Sequence, residues 1–166
     1  MTRLCTTSLV AALVLLAATG NAAEGAGPAV DPMRETLDSV RTVGAALFAW
    51  GKDQGFCCAE EAPADSMPPE ADLSRIPVLS AKEVEAMLVP RYLTSLKLTD
   101  GWGRELEVRL DRGRRNWEVM AVRSAGADGK LEGNSYSRKS FDKSDPEADI
   151  VWADGFFVRW PGKLGK

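Results

Sequence analysis

Histidine is absent from all 166 residues. That removes the commonest general base and the commonest zinc ligand together. It also rules out any nucleophile relay that runs through an imidazole. Neither a G-x-S-x-G elbow nor a phosphate-binding loop occurs in the sequence, so the familiar hydrolase and nucleotide-binding signatures are missing. Carboxylate pairs could act as acid and base, but none has a diagnostic context, and the reading is a protein that is not an enzyme. Cysteine is scarce, with three in the chain, and none is spaced as C-x-x-C. A basic excess is lacking as well, since the formal net charge is −3. Nucleic acid is therefore not expected as a partner, because phosphate binding needs a basic face.

What the N-terminus does contain is a short positive region at Arg3 and an apolar run from Leu9 to Ala18, LVAALVLLAA. The run has the length of a signal-peptide core and falls short of the ~20 residues that span a bilayer. Small residues follow through Ala22 and Ala23. Residues 1–23 are expected to be a signal peptide and 24–30 a Gly/Ala/Pro spacer. Cys5 precedes the apolar run, so it is not placed as a lipoprotein acylation site. The mature chain is expected to be exported, periplasmic, envelope-associated or secreted, with no membrane span after cleavage. Disulfides and millimolar calcium are both permissible there.

Hydrophobic residues make up 45% and charged residues 27% of the chain, which suits a folded domain. Asp31-Pro32 reads as an N-cap with proline at the first helical position. Leu37, Val40, Val43, Gly44, Leu47 and Trp50 recur near helical spacing, which predicts an amphipathic helix over 32–51. Residues 53–79 read as loop, with prolines at 63, 68, 69 and 77. Ser80 and Glu83 have capping-box spacing and open a second, short helix stopped by Pro90. From 99 onward the pattern turns to strands. Leu106, Val108 and Leu110 alternate with Glu105, Glu107 and Arg109; Trp117, Val119 and Ala121 alternate with Glu118, Met120 and Val122. Residues 131–148 read as a polar excursion. Ile150–Trp152 and Phe156–Trp160 flank the hairpin signal Asp154-Gly155. The expected fold is α+β over 31–162: an N-terminal helix packed on a small antiparallel sheet of about four strands, with a loop-rich connection holding the second helix.

The stretch Arg123–Lys130, RSAGADGK, admits two readings. It is a plain turn, or it is half of a cation site. A hard cation such as calcium takes six to eight oxygens from carboxylates, carbonyls and water, and a Gly-rich loop can turn its carbonyls inward. Asp128 supplies charge and Asp149 is placed to return from a distant segment. An EF-hand is excluded: with Asp128 first, Lys130 falls where an oxygen side chain is required.

Four phrases in order carry a resemblance: RTVGAALFAW (41–50), DGWGRELEV (100–108), SAGADGK (124–130) and ADIVW (148–152). Together they resemble the C-terminal domain of the major pseudopilin of type II secretion systems, across about 31–160. The departure is the lack of a prepilin leader and its long assembly helix; the chain looks like the globular domain detached and exported. The resemblance implies a structural or binding module with protein partners in a secretion or pilus-like apparatus. It implies structural calcium, held by the carboxylates of Asp128 and Asp149 and the carbonyls of Ala125 and Lys130. Asp145 or Glu147 could add a further oxygen by proximity in sequence.

Two other features stand out. Cys57-Cys58 could form a vicinal disulfide, pair with another chain or remain thiols; a thiol-active or small-molecule-binding envelope protein is the alternative function. Trp152 with Phe157 could form an aromatic binding patch, against the plainer reading that both are core.

Overall fold

The computed structural model describes residues 31–55, 68–115 and 117–162. The signal-like segment, the spacer and Cys57-Cys58 lie outside them. The fold is α+β. The first helix, α1, spans Pro32–Asp53. Asp31 caps it, its carboxylate accepting from the Met33 amide at 3.1 Å, as its place before a proline suggested. Its apolar stripe buries Met33, Val40, Val43, Ala46 and Leu47, and each larger aliphatic is worth about 1.5–3 kcal/mol once out of water.

The chain then gives β1 (Glu70–Asp72), β2 (Val78–Leu79) and α2 (Ala81–Leu88). Ser80 and Glu83 form the reciprocal capping box at the start of α2. The remaining strands are β3 (Glu107–Leu110), β4 (Met120–Ser124), β5 (Ser135–Ser137), β6 (Lys139–Phe141), β7 (Ile150–Ala153) and β8 (Phe156–Pro161). Six strands form one sheet in the order β2-β3-β4-β7-β8-β6, and β1 pairs with β5 in a separate ribbon.

Two expectations need correction. The sheet is larger than four strands, and it is mixed, because β6 runs parallel to β8. The extra strands come from 53–79 and 131–148, the two segments read as loop. They are two or three residues long, too short for an alternation to register.

Of these, β2 and β6 extend the sheet, while the β1–β5 ribbon covers its second face. One face carries α1 and α2, with Val40, Leu47, Val84, Leu88, Val108, Met120, Val122, Ile150 and Trp152 in one cluster. The opposite face carries Ala121, Val151, Ala153 and Val158 beneath Leu73, Ile76 and Tyr136. Every residue of β4 and β7 is consequently buried. The expected half-buried alternation therefore fails at Arg109, which is 9% exposed, and Arg123, read as the start of a loop, lies within β4 and is 2% exposed. Glu107 answers both guanidinium groups, while Asn134 and the carbonyls of Leu73, Ile76 and Gly133 take their other protons. Buried guanidinium groups persist only when paired and fully hydrogen-bonded in this way.

Trp152 sets how closely α1 approaches the sheet. A Cβ on Gly44 would stand 2.6 Å from its ring, so only glycine lets the helix settle there.

Candidate functional site

The site is built at the end of the sheet where β4 runs out. Ser124 pairs with Ile150 in the β4–β7 ladder, so Ala125 and Asp149 leave the sheet side by side. The loop after Ser124 then folds onto the segment before Asp149. The Ala127 amide donates to the Pro146 carbonyl at 2.7 Å. Gly126 sits at φ +59°, and a Cβ there would lie 2.5 Å from the Glu147 carbonyl oxygen. Glycine is needed at this point for the backbone angle and for the contact. Two segments some twenty residues apart thus meet through the main chain.

The four residues expected to hold a cation are distributed unevenly across this junction. Asp149 is fully buried. Its Oδ2 accepts from the Glu132 amide at 2.9 Å and from the Tyr136 hydroxyl at 2.6 Å, and its Oδ1 has no hydrogen-bond partner. Burial pushes its carboxyl above the ordinary aspartate range, against the two hydrogen bonds, which pull it down. Burial, and after it the same carboxylate, pushes the Tyr136 hydroxyl well above its ordinary value. Asp128 is exposed, and its Oδ1 accepts from the Lys130 amide at 2.8 Å in a local turn. The Ala125 carbonyl accepts from the Gly129 amide at 3.2 Å. Asp145 and Glu147 are exposed.

A cation of the chain's own already lies on the loop. Arg104 donates from Nη1 to the Gly126 carbonyl at 3.1 Å. Its Nε would stand 2.6 Å from a Cβ on Gly129, which has φ +72°. Beside it, Asp100 is 3% exposed and works as a hub. Oδ1 accepts the amides of Trp102 and Arg104, at 3.0 and 2.8 Å, and Oδ2 accepts the Ser124 hydroxyl at 2.7 Å. Ser124 Oγ in turn accepts the Gly126 amide at 3.2 Å. The turn also reaches the helix, since the Gly101 amide donates to Thr36 Oγ1 at 2.8 Å.

The donor set can be weighed against a hard cation's needs. The unpartnered buried oxygen of Asp149 is the kind of group a cation completes. Asp128 and the loop carbonyls could join it from the exposed side. Among the described residues, however, no group of three or more Asp, Glu, Cys or His gathers as a metal cluster. The junction offers one buried carboxylate beside main-chain oxygens, and the described residues do not make a dense acidic cage.

Sequence reading reached Asp149 and the loop but missed Asp100, Arg104, Tyr136 and Asp154. Asp154 is 8% exposed and sits at φ +47° in the β7–β8 turn. Its carboxylate accepts the amides of Glu118, Val119 and Met120 at 2.7, 3.0 and 3.0 Å. Burial raises its pKa to about 6 despite those bonds. The only sequence signal for these roles was an Asp-Gly pair at each turn, which marks the turn and says nothing of what the carboxylate holds.

Comparison with protein-family models, with curated proteins and with solved structures finds no match to this chain.

Proposed function

We propose that this chain is an exported, non-enzymatic, pseudopilin-like structural or binding module that works with protein partners of a secretion or pilus-like apparatus. The observation that carries the reading is the junction of residues 124–130 with 146–149 over buried Asp149, with one carboxylate oxygen unpartnered. The order of the four phrases, the signal-like N-terminus and the lack of histidine support it from the sequence. The buried carboxylates Asp100 and Asp154 hold backbone amides and a serine hydroxyl, which are structural tasks. No helix among the described residues is long and apolar enough to cross a membrane.

At the junction, calcium would be held by Asp149 and Asp128 with the carbonyls of Ala125 and Lys130. The ion would supply fold stability by binding the folded state alone. Thermal unfolding in calcium and in EDTA tests this: calcium raises the midpoint of the wild-type chain, and Asp149→Asn and Asp128→Ala each remove the increment. Coincident wild-type curves would defeat the cation assignment. Cross-linking in the native envelope tests the wider reading. Subunits of a secretion or pilus-like apparatus are expected among the products, and their absence from them overturns it.

A further inference from the structure

The β1–β5 ribbon pairs with no strand of the main sheet. It lies across the second face between opposite edges: β1 runs on into β2 at one edge, and β5 into β6 at the other. Side chains fasten it. Arg109 donates to the carbonyls of Leu73 and Ile76, and Arg123 to the Gly133 carbonyl and the Tyr136 hydroxyl. A further tie is made at the junction. There the Tyr136 hydroxyl and the Glu132 amide both donate to Asp149 Oδ2, at 2.6 and 2.9 Å. The carboxylate is thus divided. One oxygen holds the ribbon and the segment leading into it. The other, Oδ1, is buried without a hydrogen-bond partner.

Hydrogen bonds to one oxygen of a carboxylate fix its rotation, and so fix where the other oxygen points. In metal sites such outer partners are worth about 10–100-fold in affinity. With the ribbon closed, Asp149 is held by Oδ2, and Oδ1 is the oxygen left to serve a cation. With the ribbon lifted, the Tyr136 bond is lost, the carboxylate turns more freely and water reaches it. Cation affinity is therefore higher in the closed form, and by linkage binding favours closure. In the absence of a cation, a buried and uncompensated carboxylate oxygen costs free energy that lifting the ribbon relieves. We infer that the ribbon is a strap whose closure is coupled to cation binding at the junction, with Tyr136 as the positioning residue that carries the coupling. The inference rests on the calcium reading of the junction and adds its regulation: occupancy at the sheet's end governs access to the second face. Beneath the strap lie Ala121, Val151, Ala153 and Val158, an apolar strip that meets solvent when the strap lifts.

The test is amide hydrogen exchange of the exported chain in calcium and in EDTA, read by NMR. An isolated two-stranded ribbon is marginal in water, so its amides report whether it lies on the sheet. Leu73 donates to the Asn134 carbonyl and Arg138 to the Pro69 carbonyl, one bond at each end of the ribbon. Ala127, bonded to Pro146, reports the junction. Calcium is expected to slow exchange at Leu73 and Arg138 at least about tenfold, along with Ala127. Tyr136→Phe should weaken calcium binding about tenfold or more in calorimetric titration. At saturating calcium this variant should keep the slowing at Ala127 and lose it at Leu73 and Arg138. If calcium slows Ala127 alone in the wild-type chain, the strap is overturned and the cation assignment stands. If it slows none of the three, the cation assignment falls and the inference with it. Undiminished calcium binding by Tyr136→Phe, or ribbon slowing that survives in it, overturns the coupling through Tyr136. The wild-type comparison can overturn the inference without the variant, so the outcome does not hang on how Tyr136→Phe folds.

Discussion

The Tyr136 hydroxyl donates to Asp149 Oδ2 at 2.6 Å with both residues buried, 3% and 0% exposed. This bond joins the ribbon that covers the second face of the sheet to the carboxylate at the sheet's end. Tyr136→Phe removes it and leaves the Glu132 amide as the remaining donor to Asp149. The expected cost is about 1–3 kcal/mol in urea unfolding, because the buried acceptor loses a partner. The Asp149 carboxyl should also move further upward, since that bond holds it down; a carboxyl-carbon NMR titration reads the change. A Phe variant that titrates as the wild type would show the bond to be unimportant.

Arg104 is expected to act locally. Replacing it with methionine keeps the stem and removes the donor to the Gly126 carbonyl. A loss of about 1 kcal/mol is expected. Hydrogen exchange should quicken at Ala127 and Gly129, the loop amides bonded to Pro146 and Ala125, and stay unchanged along α1. Faster exchange throughout the sheet would make Arg104 a global support instead.

Asp154 makes stability depend on mild acidity. Its carboxyl titrates at about 6 in the folded chain against an ordinary value of 3.8. Between those values the folded chain keeps a proton that the unfolded chain has released. Stability therefore falls as pH rises through that window, by about 3 kcal/mol for a displacement of about two units. Asp154→Asn cannot titrate, and its profile should lack this fall, though the amide serves three backbone donors less well and the variant starts lower. Parallel profiles for the two proteins from pH 4 to 7 would refute the assignment.

Gly44→Ala sets two effects against each other. Alanine favours the helix by about 1 kcal/mol, yet its Cβ would meet the Trp152 ring at 2.6 Å. Overpacking costs about 1–3 kcal/mol. A net loss of stability is expected in denaturant unfolding; a more stable variant would mean that the ring moves aside freely.

Some of this was open to reading along the chain. Asp31-Pro32, the stripe through Val40, Val43 and Leu47, the Ser80–Glu83 box and the Asp154-Gly155 turn each act within a few residues. Propensity, periodicity and capping suffice to place them, and they delivered the two helices and the main strands. The sequence reading brought Asp149 back to residues 124–130 as a ligand beside Asp128; the structure joins the two segments by main chain, through Ala127 and Pro146.

The tertiary structure alone decided the rest. Arg109 reads as solvent-facing and Arg123 as the start of a loop, and both are buried because a ribbon built from two polar segments lies over them. Asp128 and Asp149 looked equivalent as ligands, yet one is exposed and self-capped while the other is sealed beneath Tyr136. Sequence by itself determined the local elements, because their energetics are settled between near neighbours. Which carboxylate is buried and which arginine is covered depend on residues brought together from far along the chain, and no local pattern encodes that proximity.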